Sequence, residues 1–313
     1  MSRYVRQTCL PEVGETGQKA LASTRVLVVG AGGLGCAVLP YLVAAGVGEI
    51  TLVDGDVVSL SNLHRQVLYR EADVDLPKVE CAKRRLNGLN DESVIITHFT
   101  ALAPSNVAAL CDGIDVILDC ADNFAVSYVL SDHCHAHGLK LVSASALGFE
   151  GYVGGFCGDK PSLRAVFPEL PQRAKNCSTA GVMVPVVGAI GSLQAQFTLN
   201  ILLNIEPSPL GQLVSMDLRS FRQSHFRFDE APEPSPEHYL GFISKEHMTS
   251  QDWVMDLRTI TLDEFEQQQL QPNTTQRAVL VCRTGLTAWR AARKLQTYWQ
   301  GEIRLIALGD DPL

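Results

Sequence analysis

Excess positive charge is what this sequence most lacks. Its 313 residues carry 26 Lys and Arg against 34 Asp and Glu, a formal net charge of −8. No basic stripe is available to neutralise nucleic-acid phosphates or an anionic membrane, so neither partner is expected. Nine cysteines are present, but their number is odd, their spacing is irregular and no C-x-x-C pair occurs. A disulfide framework is therefore not expected, and a reducing cytoplasm is. Long hydrophobic runs are also missing; stretches such as AGVMVPVVGAIGSL are too short and too glycine-rich to span a bilayer. Residues 1–25 contain no basic start followed by an apolar core, which gives no expectation of a signal peptide.

What is present is an alternation of strands and helices. The stretch VLVVGAGGLGCAVLPYLVAAGVGEITLVDGD, residues 26–56, reads as strand, glycine loop, helix and second strand. IDVILDC reads as a buried strand, FAVSYVLSDHCHAHG as a helix and LKLVSASAL as another strand, and a long buried helix is expected to begin near Pro185. This order predicts an α/β fold, Rossmann-like, with a mostly parallel sheet covered on both faces. QLVSMDLRSFRQSHFRF alternates apolar and polar residues, as an antiparallel extension would. DEAPEPSPEHY then reads as an exposed Pro/Glu linker, and a short second α/β unit follows. The expected division is a first domain over 1–230, a linker over 231–248 and a small segment over 249–313.

Gly30, Gly32, Gly33 and Gly35 form a phosphate-type loop ahead of a helix N-terminus, and Asp54 is spaced to accept hydrogen bonds from a ribose. A nicotinamide dehydrogenase would share all of this. The next segment argues otherwise. SLSNLHRQ supplies Asn62, Arg65 and Gln66, and LPKVE supplies Lys78. Two cations and two amides beside a phosphate chain suit nucleotidyl transfer and have no evident use in hydride transfer. LDCADN puts Asp119 and Asp122 at the carboxyl end of a buried strand, where a carboxylate can hold Mg²⁺ against a triphosphate. The other reading of Asp122 is a cap for the helix starting at Asn123.

Taken together, RYVRQ, GAGGLG, AGVGEITLVDGDVVSLSNLHRQ, PKVECAKRRLNGLN, DCADN, SASALGFEG and NCSTAGVMVPVVGAIGSLQA resemble, in this order, the ThiF/MoeB family. These are bacterial relatives of ubiquitin-activating enzymes, and the resemblance covers residues 3 to about 228. It implies an enzyme, a nucleotidyltransferase, that binds ATP with Mg²⁺. Its substrate would be a ubiquitin-like sulfur-carrier protein ending in Gly-Gly. The carrier's C-terminal glycine would be adenylated with release of pyrophosphate, in preparation for a thiocarboxylate. A persulfide donor would supply the sulfur, for thiamine, molybdopterin or a related product. By position, the resemblance assigns the four glycines, Asp54, Asp56, Asn62, Arg65, Gln66, Lys78, Asp122 and Asn123 to the nucleotide, with Asp122 on Mg²⁺. It also implies that Arg6 crosses a homodimer into the other copy's site; read alone, Arg6 is a solvated arginine. Adenylation of a peptide or small-molecule carboxylate, and a non-catalytic or nicotinamide-binding scaffold, are the alternatives.

Cys177, beside Lys175 and near a helix start, is a candidate for sulfur transfer, or else an inert thiol. Many relatives carry two C-x-x-C pairs that hold a structural zinc. The first pair's positions here read SLRA, with Ser162 and Ala165, so zinc is not expected. His133 and His137 lie one helical turn apart, but two ligands do not make a metal site. Cys282 opens CRTGLTAWRAARKL, which resembles the end of a rhodanese module. Its central portion is missing, and Leu286 stands where an arginine is usual. A degenerate module and a sulfur relay from Cys282 to Cys177 both stay open.

Overall fold

The glycine loop is the hinge of a βαβ unit in the computed structural model, which describes residues 3–169, 181–235, 239–268, 270–273, 276–309 and 313. Two short helices, α1 (Val5–Thr8) and α2 (Gly14–Ala22), lead into β1 (Arg25–Val29). The chain continues through α3 (Gly33–Ala45), β2 (Glu49–Val53), α4 (Lys78–Asn87) and β3 (Val94–His98). Then come α5 (Val107–Cys111), β4 (Val116–Asp119), α6 (Phe124–His137) and β5 (Lys140–Leu147). These five strands are parallel, in the order β3-β2-β1-β4-β5. Three antiparallel strands extend the sheet: β6 (Glu150–Cys157), β7 (Gln212–Asp217) and β8 (Arg222–Arg227). Between β6 and β7 lie α7 (Leu163–Val166) and the long helix α8 (Val184–Leu202), which starts with Pro185 in its first turn, where a missing N–H costs nothing.

Strand alternation divides the core between the two faces. Val26, Val28, Leu118 and Val142 point to the face covered by α3 and α8, whereas Leu27, Val29, Ile117 and Leu141 point to the face covered by α5 and α6. Helix ends follow the glycines: α3 stops at Gly46 and α6 at Gly138, both in the left-handed conformation. No helix among the described residues is long and apolar enough to cross a membrane.

After the Pro/Glu stretch a second, four-stranded parallel sheet forms. Its strands β9 (Gly241–Phe242), β10 (Trp253–Asp256), β11 (Ala278–Cys282) and β12 (Ile303–Ala307) run in the order β10-β11-β12-β9. Two helices, α9 (Leu262–Gln267) and α10 (Leu286–Leu295), pack on one face, with Phe265, Trp289 and Leu295 buried there. That second core also takes in Tyr128 from α6, whose ring lies 5.4 Å from that of Trp289.

The expected linker is only partly exposed, and it is fastened down. Glu233 accepts hydrogen bonds from the Ser162 N–H and hydroxyl, both at 2.6 Å. Two residues on, Arg164 is 3% exposed and pairs with Asp132 through two bonds of 2.6 and 2.8 Å. Its guanidinium also donates to the Leu240 carbonyl and lies over the rings of Tyr128, Tyr239 and Trp289. The SLRA positions thus hold a hydrogen-bonded, cation–π clamp between the two sheets.

Candidate active site

The carboxyl ends of β1, β2 and β4 converge on one crevice, as the doubly wound topology requires. The glycine loop lines it. Gly30 has φ +102°, and a Cβ there would lie 2.7 Å from the Cys120 carbonyl oxygen, so the loop after β4 abuts the loop after β1. Gly35 leaves no room for a Cβ against the Gly30 carbonyl, which lets α3 start directly beneath the loop. The Gly32 and Gly33 amides make no hydrogen bond among the described residues, as the first N–H groups of a helix usually do not.

Asp54 receives the Ala31 N–H at 2.7 Å on one oxygen and the Asp56 N–H at 2.8 Å on the other. Burial raises its pKa above the usual carboxylate range, and Lys78 opposes the rise. Lys78, only 4% exposed, begins α4 and donates to Asp56 at 2.7 Å. A buried ammonium held by one exposed carboxylate is a cation ready to exchange partners.

Residues 60–66 wrap over the glycine loop in tight turns. The Asn62 carbonyl accepts the N–H groups of Arg65 and Gln66, at 3.1 and 3.0 Å. The Arg65 stem lies 3.8 Å from the Cβ position of Gly33, and its guanidinium donates to the Ser61 carbonyl. Gln66 is buried, its amide nitrogen 3.7 Å from the Cβ position of Gly32, while its oxygen has no partner among the described residues. A buried orphan amide facing a glycine loop fits a site whose remaining donors and acceptors come from a ligand.

On the β4 side the helix-capping alternative for Asp122 is resolved. The N-cap is Asn123, whose side chain accepts the Ala125 N–H at 2.9 Å, and α6 begins at Phe124. Asp122 is exposed at the crevice edge and makes no hydrogen bond or ion pair among the described residues. Asp119 is buried below it, accepting from Ser143 at 2.8 Å and from the Ala121 N–H at 3.2 Å; burial pushes its pKa up to about 6.

Arg6 is not brought to this crevice. It is exposed on α1, and its neighbours Tyr4 and Gln7 touch Gly46 and the Ala45 carbonyl at the C-terminal end of α3. The thirteen residues of α3 put about 20 Å between that end and the glycine loop. Cys177 and Lys175 lie outside the described residues. His133 and His137 stack on each other 4.2 Å apart, and no cluster of three potential metal ligands occurs among the described residues.

Cys282 ends β11 with its sulfur accepting the N–H groups of Gly285 and Ala288, at 3.1 and 3.3 Å. It is 3% exposed. The Cβ position of Gly285 lies 2.7 Å from the Phe242 ring and 3.1 Å from Ala125 of α6. The loop is therefore pressed against the first turn of the helix that follows Asp122.

Two residues that the sequence did not flag support the crevice. Gln194, from the long helix α8, donates to the Asp119 and Val142 carbonyls at 2.8 and 3.1 Å. Tyr69, three residues after Gln66, donates to the Ala31 carbonyl at 2.7 Å. Gln194 falls on the apolar period of α8, between Ile190 and Phe197, and was a readable signal; nothing marked the tyrosine.

The model of the ThiF family matches residues 4–238. The chain belongs to the ThiF family. Among curated proteins, "Adenylyltransferase and sulfurtransferase MOCS3" of Sus scrofa is 44% identical over 218 residues, covering 69% of this chain and 48% of that protein. This ThiF-family chain thus spans about half the length of the MOCS3 proteins it matches. "SAMP-activating enzyme E1" of Haloferax volcanii is 40% identical over 219 residues, covering 69% of this chain and 81% of that one. Among solved structures, E. coli MccB with ATP superposes with a TM-score of 0.65 at 21% identity, covering 74% of this chain and 72% of that one. At that identity the likeness shows the fold.

Proposed function

We propose that this ThiF-family protein adenylates the C-terminal glycine of a ubiquitin-like sulfur-carrier protein. The carrier's carboxylate attacks the α-phosphorus of ATP, and the α–β bridging oxygen leaves with pyrophosphate. The acyl-adenylate is then open to a sulfur nucleophile, with AMP as the leaving group. Both reactants are anions and the carboxylate is already ionised at neutral pH, so the protein has to screen charge rather than supply a base.

The observation that carries this reading is the buried ammonium of Lys78 beside the glycine loop, held among the described residues by exposed Asp56 alone. Hydride transfer has no need of it, and an incoming triphosphate offers it a better partner. Arg65 and Gln66 bracket the glycines, and exposed Asp122 is available to Mg²⁺ arriving with the nucleotide. Asn62 shapes the turn that carries Arg65, and Asn123 is occupied in capping α6. Arg6 stands a helix length from its own glycine loop, which supports a role across a homodimer in the other copy's crevice. Named relatives that activate such carriers or join adenylyl and sulfur transfer support the substrate class.

Sulfur supply divides differently. With Cys282 closed off in its loop, an external persulfide is the donor in the state described. The test is ATP–pyrophosphate exchange, expected only when a Gly-Gly-ended carrier is present. Exchange with a free peptide or small carboxylate and no carrier would move the protein to natural-product carboxylate activation. Silence with every carrier, alongside magnesium-independent nucleotide binding, would overturn adenylation.

A further inference from the structure

The Ala31–Gly32 peptide at the heart of the glycine loop is gripped from behind. Ala31 is fully buried, and its N–H is held by Asp54. Its carbonyl accepts the Tyr69 hydroxyl, with the Cys36 thiol directed at the same oxygen from 3.6 Å. Tyr69 is 6% exposed, belongs to the buried core on this face of the sheet, and gives its hydroxyl proton to the Ala31 carbonyl.

Peptide planarity turns this grip into an orientation. In a trans peptide the C=O and the following N–H point in opposite directions. A carbonyl drawn inward to Tyr69 turns the Gly32 N–H outward. Glycine at 32, with no Cβ to restrict its φ, leaves that plane free to flip, so something must choose one side. Tyr69 is well placed to choose, because its own N–H is bonded to the Gln66 carbonyl at 3.1 Å. One turn therefore faces the crevice through Gln66 and grips the loop through Tyr69.

We propose that Tyr69 is a positioning residue that presets the glycine loop for phosphate, through its hydroxyl on the Ala31 carbonyl. It touches no substrate; it fixes which way the Gly32 amide points before nucleotide arrives. This rests on the nucleotide reading of the crevice, and the experiment separates the two. ATP and adenosine affinities are measured by calorimetry for the wild-type protein and for Tyr69→Phe, which removes one oxygen and keeps the ring. ATP affinity is expected to fall roughly ten-fold, the worth of one buried hydrogen bond, with adenosine affinity within two-fold of wild type. Unchanged ATP binding in the variant, or an equal loss for ATP and adenosine, overturns the role of Tyr69. A wild-type protein that binds no ATP overturns the nucleotide reading beneath it. Should the variant not be obtained folded, amide exchange on the wild-type protein decides. The Gly32 amide is expected to exchange freely without ATP and to be protected once ATP is bound; a Gly32 amide already protected without nucleotide overturns an outward-facing plane.

Discussion

Two loops in this molecule share one construction and have opposite fates. After β1 and after β11 the chain leaves a buried parallel strand, turns through glycine and starts a helix whose N–H groups face the turn. At the first, the Gly32 and Gly33 amides are unclaimed among the described residues, Arg65 and Gln66 stand beside them, and Lys78 lies near Asp54 on the neighbouring strand end. At the second, the amides of Gly285 and Ala288 are already taken by the Cys282 sulfur, and Phe242 and Ala125 close over the turn. The same backbone device is left open to an external anion in one place and satisfied from within in the other. What distinguishes them is the neighbourhood: cations and amides around one, apolar side chains around the other.

The contrast can be broken at its strongest point first. Arg164→Ala removes the guanidinium that ties α6, the linker and α10 together and leaves Asp132 without its partner. A loss of about 3–5 kcal/mol is expected, toward the lower end because Asp132 is partly reached by solvent. Denaturant titration measures it, and an unchanged midpoint would mean that the clamp contributes nothing. Lys78→Ala acts on the open loop: carrier-dependent exchange should fall by about two to three orders of magnitude in kcat/KM, on the order of 3 kcal/mol of barrier. Retained activity would remove the ammonium from the chemistry.

Asp119 beneath the open loop sets a pH dependence. Its folded-state pKa is raised to about 6 from an ordinary value of 3.8, so its stabilising contribution is complete below pH 4 and is lost as pH rises through about 6. In metal-free protein at pH 8, Asp119→Asn should therefore gain about 2 kcal/mol relative to wild type, compared with the same difference at pH 4. A difference independent of pH would place the carboxylate's proton outside this range. The closed loop gives a smaller effect: a thiol reagent should modify exposed Cys9 at once and Cys282 about a hundred-fold more slowly, because local opening must come first. Equal rates would mean that the second loop is open too. The smallest change is Glu233→Gln, which weakens two bonds to Ser162 and should cost about 1 kcal/mol in the same denaturant titration.

Much of the crevice was legible because its chemistry lies in local runs. GAGGLG and SNLHRQ each fold into one turn, and spacing alone brings them to the same strand ends. The alternation in β7 and β8 likewise revealed the antiparallel extension. Long-range pairings were not legible. Tyr69 looked like one more apolar residue in VLYR, because its partner is a backbone carbonyl 38 residues away. SLRA was read for the thiols it lacks, yet Arg164 in the same four residues centres a clamp of rings from three separate segments. DEAPEPSPEHY has the composition of a free linker, and only the fold shows Glu233 and Tyr239 put to use there. Cys282 drew a chemical reading from its local motif, while the helix that covers its loop begins more than 150 residues earlier.

The shared aromatic seam bears on where this protein can be cut. The family match ends at residue 238, which invites shortening the chain there. Doing so would strip Trp289 from Tyr128 and the Leu240 carbonyl from Arg164, leaving a greasy scar on the helix that starts just after Asp122 and an arginine held by Asp132 alone. Sequence kinship and the unit that folds have different edges in this chain.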